Sequence, residues 1–418
     1  MLPTDWERFE INAMRVRKLG HFGSLAAPSV LYAPGEGVYR ALAHASVGRT
    51  PLLPRLTYLC PDQSIDKDDT YPGIGLFLSP SIQNLKFTIS GETDFIVNGR
   101  LSLLPPLVSA CPNLSHLSLV GKESLPWQEI IYAISSIGHW SSLRHLTVHF
   151  PTIRDSKLFD YFDGNDVENP SMLEISFTKL QCLDIGDSAI EFSLRLLQHM
   201  SQAPLQTLRV ESPNCLRTDQ WSKLFKAVEH GISCSSLQHF RISYNHKNTF
   251  TFNASITFEA LSPLLAFTCL TQVSIVNHGF DIDDENLHIM ASAWTCLQTL
   301  ELITLSPSHY QPRITINGLI SLVQCCPSLA GLTIAFDASQ AYLRAEGGVR
   351  NERILTLGVS HSPVGDLDQV AALLSDMFPN LRSIDICQCR NKGVADHVGD
   401  ADKRWNKVES LVARRSEV

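Results

Sequence analysis

The stretch Cys111–Leu119, CPNLSHLSL, sets its leucines at Leu114, Leu117 and Leu119. That spacing is neither the 3.6-residue stripe of a helix nor the pure alternation of a strand. With any apolar residue allowed at the three marked places, the same L-x-x-L-x-L pattern returns along the chain. Upstream it stands at Ile82/Leu85/Phe87. Downstream it stands at Leu143/Leu146/Val148, Leu180/Leu183/Ile185, Leu205/Leu208/Val210, Leu237/Phe240/Ile242 and Leu270/Val273/Ile275. It continues at Leu297/Leu300/Leu302, Leu329/Leu332/Ile334, Ile354/Leu357/Val359 and Leu381/Ile384/Ile386. An incomplete copy begins at Leu56 and Leu59 before Pro61, and Val16 with Leu19 forms a weaker one.

From Leu56 onward the steps are 26, 32, 29, 37, 25, 32, 33, 27, 32, 25 and 27 residues. One such triplet means nothing in a chain that is 44% hydrophobic, but eleven at a narrow spread of steps define a repeat. The period brackets that of leucine-rich repeats, skewed long. Residues two apart in a strand share a face, so the last two marked residues point into one core while the first anchors the turn before the strand. The places between them point out.

Helical segments fill the gaps: Leu125–Trp140, Thr218–Ile232, Asp283–Trp294 and Asp366–Phe378. The last has apolar Leu367, Val370, Leu373 and Leu374 at helical spacing, with acidic residues in its first turn, where the helix dipole favours them. Thr218 and Asp283 are the expected N-caps. Cys111-Pro112, Cys326-Pro327 and Phe378-Pro379 close helices. A strand–helix unit cannot bury its faces alone, so neighbours stack into one array. The expected fold is an α/β leucine-rich-repeat solenoid, a ribonuclease-inhibitor-like horseshoe with parallel strands on the concave side and helices on the convex side. Residues 1–55 form an N-terminal cap and linker, 56–392 about 12 irregular repeats, and 393–418 a C-terminal cap with a short helix around Trp405, Val408 and Leu411. Arg154–Ser176 and Tyr244–Ser255 read as inserted loops.

The 418 residues carry a formal charge of -8, with 34 basic and 42 acidic residues, which disfavours a uniform nucleic-acid or anionic-membrane surface. No secretory leader stands at MLPTDWERFE. The uncharged run Ile314–Phe336 contains Asn317, Gln324 and Pro327, and reads as helix, stop and strand rather than a membrane span. Of the eleven cysteines, Cys111, Cys234, Cys269, Cys296 and Cys326 precede strands and read as one recurring structural slot for a small apolar side chain. Cys325-Cys326 and Cys387/Cys389 lack the companions of a zinc site. Reduced cysteines and no leader place the chain in the cytosol or nucleus.

Catalytic signatures are missing as well. There is no GxxxxGK phosphate loop and no HExxH. Gly186-Asp187-Ser188 resembles the Gly-Asp-Ser block of one serine hydrolase family, but no Asp-x-x-His follows, and the repeat reads it as the turn leaving a strand. A non-catalytic chain without cofactor or metal is expected. His116, His145 and His239 share the third place of the motif. On stacked strands His116 and His145 become neighbours, either a metal-binding or pH-sensing pair or a polar outward-facing slot.

The fifth place points out from mid-strand: Lys86, Ser118, Thr147, Asp184, Arg209, Arg241, Ser274, Glu301, Thr333, Gly358 and Asp385. Asp184, Arg209, Arg241 and Glu301 stand out, with His149, Glu211 and Tyr244 at the seventh and eighth places. Arginine and tyrosine are enriched at binding hot spots. The row reads as a patch for a protein or peptide, or as a solvated face whose charges pair with one another.

Thr4–Leu19, TDWERFEINAMRVRKL, resembles the segment following the F-box in fungal F-box/leucine-rich-repeat proteins. PLLPRLTYL and GLFLSPSIQNLKFTI are similar to that group's first repeats. DIDDENLHIMASAWTCLQTLEL and TINGLISLVQCCPSLAGLTIAFDA are similar to its later ones, and FPNLRSIDI with Trp405 to its close. The resemblance spans Thr4–Val408 and is carried by the order of degenerate motifs. It implies substrate recognition within an SCF-type ubiquitin ligase, the repeats presenting a protein for ubiquitination. No F-box is visible in these residues, so contact with the Skp-type adaptor and cullin is expected only if one lies upstream. The alternative is a free-standing leucine-rich scaffold or inhibitor.

Overall fold

In the computed structural model, Leu114, Leu117 and Leu119 are at most 1% exposed. The structure describes residues 3–20, 42, 44–45, 50–60, 72–89, 104–121, 127–138, 140–150, 175–186, 188, 190–244, 255–305, 311–340, 348–386 and 400–416. The inserted loops (apart from their end residues), Asp187, Cys387 and Cys389 lie outside these.

The chain divides into two compact units, Met1–Leu205 and Gln206–Val418. In the first, six strands run parallel in sequence order: β1 (Lys18–Gly20), β2 (Tyr58–Cys60), β3 (Asn84–Ile89), β4 (His116–Gly121), β5 (His145–His149) and β6 (Cys182–Gly186). The second motif residue falls into one column, Leu19↔Leu59↔Leu85↔Leu117↔Leu146↔Leu183. The weak copy at Val16 and Leu19 is thereby a true strand of the stack. Helices α1 (Pro3–Ala13), α2 (Pro72–Gly75), α3 (Leu104–Ala110), α4 (Trp127–Ile137) and α5 (Ile190–His199) belong to this unit. Trp6 of α1 packs with Leu52 and Leu76 to seal its start.

In the second unit, β7 (Thr207–Ser212), β8 (His239–Tyr244), β10 (Gln272–Asn277), β12 (Thr299–Thr304), β13 (Gly331–Ile334), β14 (Thr356–Gly358) and β15 (Ser383–Asp385) run parallel. Their column is Leu208↔Phe240↔Val273↔Leu300↔Leu332↔Leu357↔Ile384. Two short strands, β9 (Ser255–Thr257) and β11 (Gly279–Asp281), pair separately. The helical layer holds α6 (Thr218–Gly231), α7 (Phe258–Leu261), α8 (Asp284–Ala293), α9 (Ile316–Cys325), α10 (Leu367–Met377) and α11 (Asp400–Ser416). Each unit is thus a stack of strand–helix repeats, the α/β leucine-rich-repeat solenoid architecture.

All marked residues from Ile82 to Ile384 are buried; only Ile386, beyond the last strand, is half-exposed. In most motifs the first leucine closes a turn: its N–H reaches the carbonyl three residues back, as in Leu114→Cys111, Leu143→Trp140, Leu297→Trp294 and Leu329→Cys326. The next two N–H groups then share one carbonyl of the preceding repeat. Ser115 and His116 donate to Gln83, Arg144 and His145 to Ser115, Thr271 and Gln272 to Gln238. The backbone groups that a turn would leave orphaned are thereby satisfied by the neighbour, which sets each repeat's register on the last.

The cysteine slot needs correction. The buried place three residues before the first leucine holds Ser79, Cys111, Trp140, Phe177, Phe267, Trp294, Cys326, Asn351 or Phe378. Cys234 stands at the same place, half-buried, whereas Cys269 and Cys296 stand one residue before that leucine, half-buried and exposed. The slot selects for filled volume against the helices, not for cysteine. Burial pushes the Cys111 thiol up to about 11 and Cys326 to about 12, as expected of inert core thiols.

Two caps behave differently. Asp283 accepts from Asn286 N at 3.0 Å, as expected. Helix α6 instead starts one residue earlier: the N-cap is Arg217, whose N–H donates to Gln220 Oε1 at 2.9 Å, and Thr218 is already helical. A glutamine at the third helical place supplies the reciprocal half of a capping box without the N-cap hydroxyl.

Candidate functional site

Because alternate side chains point to opposite faces, the buried columns define a second face of each strand stack, turned away from the helices. Registered rows on that face are the site's framework.

In the first unit the third-place row is Asn84↔His116↔His145↔Cys182 and the fifth-place row Lys86↔Ser118↔Thr147↔Asp184. His116 and His145 come together as parallel rings, 4.1 Å between centroids and 4° between planes. Ser115 Oγ lies 2.8 Å from His116 Nδ1. Imidazole lone pairs lie in the ring plane, so stacked parallel rings do not aim both at one ion. Among the described residues, no group of three His, Cys, Asp or Glu side chains is placed to hold a metal. Burial, and then the neighbouring charge, holds both imidazoles below the ordinary histidine value: His145 acts on His116, and Arg144 on His145.

The sign of the pH effect follows. The unfolded chain takes up protons at these sites below about pH 6.5, while the folded stack resists them. The stack's contribution is complete above that value and is lost as pH falls below it. His199 and His361 are shifted the same way by burial, so the pair must be isolated by substitution. The melting temperature is expected to fall between pH 7 and pH 5 in the wild type, and to fall less in His116→Gln/His145→Gln. Equal slopes in both proteins would refute the assignment.

Beside the stack, His149 Nε2 lies 3.5 Å from Asp184 Oδ1. A Cβ on Gly186 would meet that imidazole at 2.6 Å, so glycine here is what lets the ring settle over β6 toward Asp184. Ser188 is buried and its hydroxyl donates to Gly186 O at 2.9 Å, as a turn-closing serine does.

In the second unit the fifth-place row is Arg209↔Arg241↔Ser274↔Glu301↔Thr333↔Gly358↔Asp385. It is less uniformly solvated than the alternation suggests. Ser274 is buried between the larger Arg241 and Glu301, and Thr333 is buried as well, its side chain occupying the place that a Cβ on Gly358 would take. Ser274 Oγ donates to Glu301 Oε2 at 2.7 Å. Arg209 and Arg241 stand side by side in register and exposed, Glu211 exposed two places beyond Arg209 on β7. Among the described residues none of these three side chains makes a hydrogen bond or an ion pair. Glu301 is therefore satisfied by a neutral hydroxyl, and the two arginines do not pair with it. Like charges directly opposite on neighbouring strands cost stability.

Tyr244 does not share this face. It falls in the inward eighth-place register, opposite Ser212, is 6% exposed, and its ring lies 5.7 Å from that of His278. The seventh and eighth places point opposite ways, and counting them together misplaced it. His239, the third histidine of the third-place register, stands apart from the other two: its Nδ1 lies 3.3 Å from Thr207 Oγ1 on the row beside the arginines.

No family model matches the chain, and no curated protein matches it. A solved structure titled as the complex of Rad7 and Elc1 in yeast contains a similar chain, at 13% identity and a TM-score of 0.35, over 92% of this chain and 89% of that one. The fold assignment rests on the registered columns rather than on that likeness. No helix among the described residues is long and apolar enough to cross a membrane.

Proposed function

We propose that the chain is a protein-binding leucine-rich-repeat module whose outward strand face takes a protein or peptide, without catalysis of its own. The observation that carries this is the registered pair Arg209 and Arg241, exposed on adjacent strands and unpaired among the described residues. A face kept at an electrostatic cost, with donors free, suits an anionic group on a partner. The resemblance to F-box/leucine-rich-repeat proteins makes that partner a substrate for ubiquitination, the chain being the recognition part of an SCF-type ligase. The nine described cysteines are free thiols, which fits the cytosol or nucleus.

The test compares wild type with Arg209→Ala/Arg241→Ala as bait in cell extract, with circular dichroism to check folding. Proteins held by the wild type and lost from the folded double variant support the reading; an unchanged set overturns the patch. The ligase link is tested separately, by co-purifying the full gene product with a Skp-type adaptor. Binding supports it, and absence of binding leaves a free-standing scaffold or inhibitor.

A further inference from the structure

The charges of the second unit's outward face have an order as well as a sign. Across the strands they run cation, cation, serine, anion: Arg209, Arg241, Ser274, Glu301. Along β7, Glu211 bounds the pair on a second side. The arginines occupy adjacent strands, about 4.8 Å apart, so one carboxylate above them receives donors from both guanidinium forks. From the midpoint of that pair to Glu301 is two and a half strand spacings, about 12 Å. An extended peptide laid across the strands carries same-face side chains at i, i+2 and i+4, and its i to i+4 distance is about 13 Å.

We infer that this face binds an extended peptide segment with an aspartate or glutamate at position i, seated over Arg209 and Arg241, and a lysine or arginine at i+4, paired with Glu301. This deepens and rests on the protein-binding reading. The charge order also selects against other anions. A nucleic-acid backbone or a polyacidic tail would bring negative charge onto Glu211 or Glu301 as well as onto the arginines, and like-charge juxtaposition is what excludes wrong partners. The middle of the segment, over Ser274, meets a small buried side chain and is free to vary.

The experiment selects a displayed random twelve-residue peptide library against the full 418-residue chain, with a parallel arm in which serines are phosphorylated. The baits are wild type, Arg241→Glu and Glu301→Lys. Wild type is expected to enrich an acidic residue followed four places on by a basic one. Glu301→Lys should turn the preference at i+4 acidic, and Arg241→Glu should abolish that at i. For a selected peptide each reversal is expected to weaken binding about 10–100-fold, the range for a lost charge-assisted hydrogen bond. Arg241→Glu sets opposite charges on neighbouring strands, so its fold is expected to hold and lost binding is not unfolding. Enriched peptides indifferent to these substitutions overturn the inference while leaving protein binding intact. Selection of phosphorylated peptides alone overturns the carboxylate. No enrichment, together with no captured protein, removes both.

Discussion

Replacing Trp405 by alanine is expected to destabilise the second unit by about 3–5 kcal/mol, the range for deleting a buried tryptophan. Helix α11 packs against α10 and β15, and Trp405 is the largest of its fully buried side chains. Its Nε1 donates to Ser362 O at 2.8 Å, and its ring meets Phe336 edge-on at 5.8 Å. Ser362 is itself fully buried: its hydroxyl donates to Val359 O and accepts from Phe336 N at 2.9 Å. One tryptophan therefore ties the last helix to the turns after β13 and β14. Alanine leaves a cavity and an unsatisfied carbonyl together. Trp405→Phe keeps much of the apolar area and loses only the donor, so about 1–3 kcal/mol is expected. Denaturant titration gives the totals, and hydrogen exchange locates them: protection should fall first in α11 and β15, because a repeat array frays from its end. An alanine variant within about 1 kcal/mol of wild type would contradict this account.

The second large effect is expected at Asn351, where an amide side chain stands at a place that most other repeats fill with an aromatic ring or a thiol. It is 4% exposed. Its Nδ2 donates to Leu329 O at 2.9 Å, and its Oδ1 accepts from Arg353 N at 2.8 Å and Ile354 N at 3.2 Å. In most other repeats the leucine N–H finds a backbone carbonyl; here the amide oxygen takes its place and the amide nitrogen reaches back one repeat. Asn351→Ala orphans three backbone groups, and about 2–4 kcal/mol is expected, since each buried unsatisfied group costs about 1–3 kcal/mol and relaxation recovers part of it. Asn351→Leu restores volume but no hydrogen bond. It should be no better than alanine by denaturant titration, and full rescue by leucine would show that packing, not hydrogen bonding, is what asparagine supplies.

These two residues mark where sequence reading succeeds and where it stops. Trp405 and Val408 were legible as apolar residues on a closing helix, but the third buried place is Val412 rather than Leu411, and the helix is 17 residues long. Asn351 carried no signal: it lies between Arg350 and Glu352 in a charged stretch, and the carbonyl of Leu329 from the previous repeat explains it only in the folded chain. The histidine pair was legible as a shared register, while its face-to-face stacking was not, because two side chains' rotamers depend on Ser115 and on each other. Tyr244 was misassigned to the outward face because period-2 alternation separates adjacent places, and a list by proximity along the chain ignores it.

By itself the sequence determined the repeat, its approximate boundaries and the residues that fill the core. Those follow from a local rule: an apolar residue at the first, fourth and sixth places must be buried, and a strand–helix unit can bury it only against a copy of itself. The tertiary structure alone decided which outward charges are paired. Ser274 donates to Glu301, Arg209 and Arg241 make no hydrogen bond or ion pair among the described residues, and His149 reaches Asp184 over a glycine. Partners on neighbouring strands lie 25 to 37 residues apart in the chain. Whether two such charges meet depends on register and rotamer across that gap, and no periodicity along one strand encodes it.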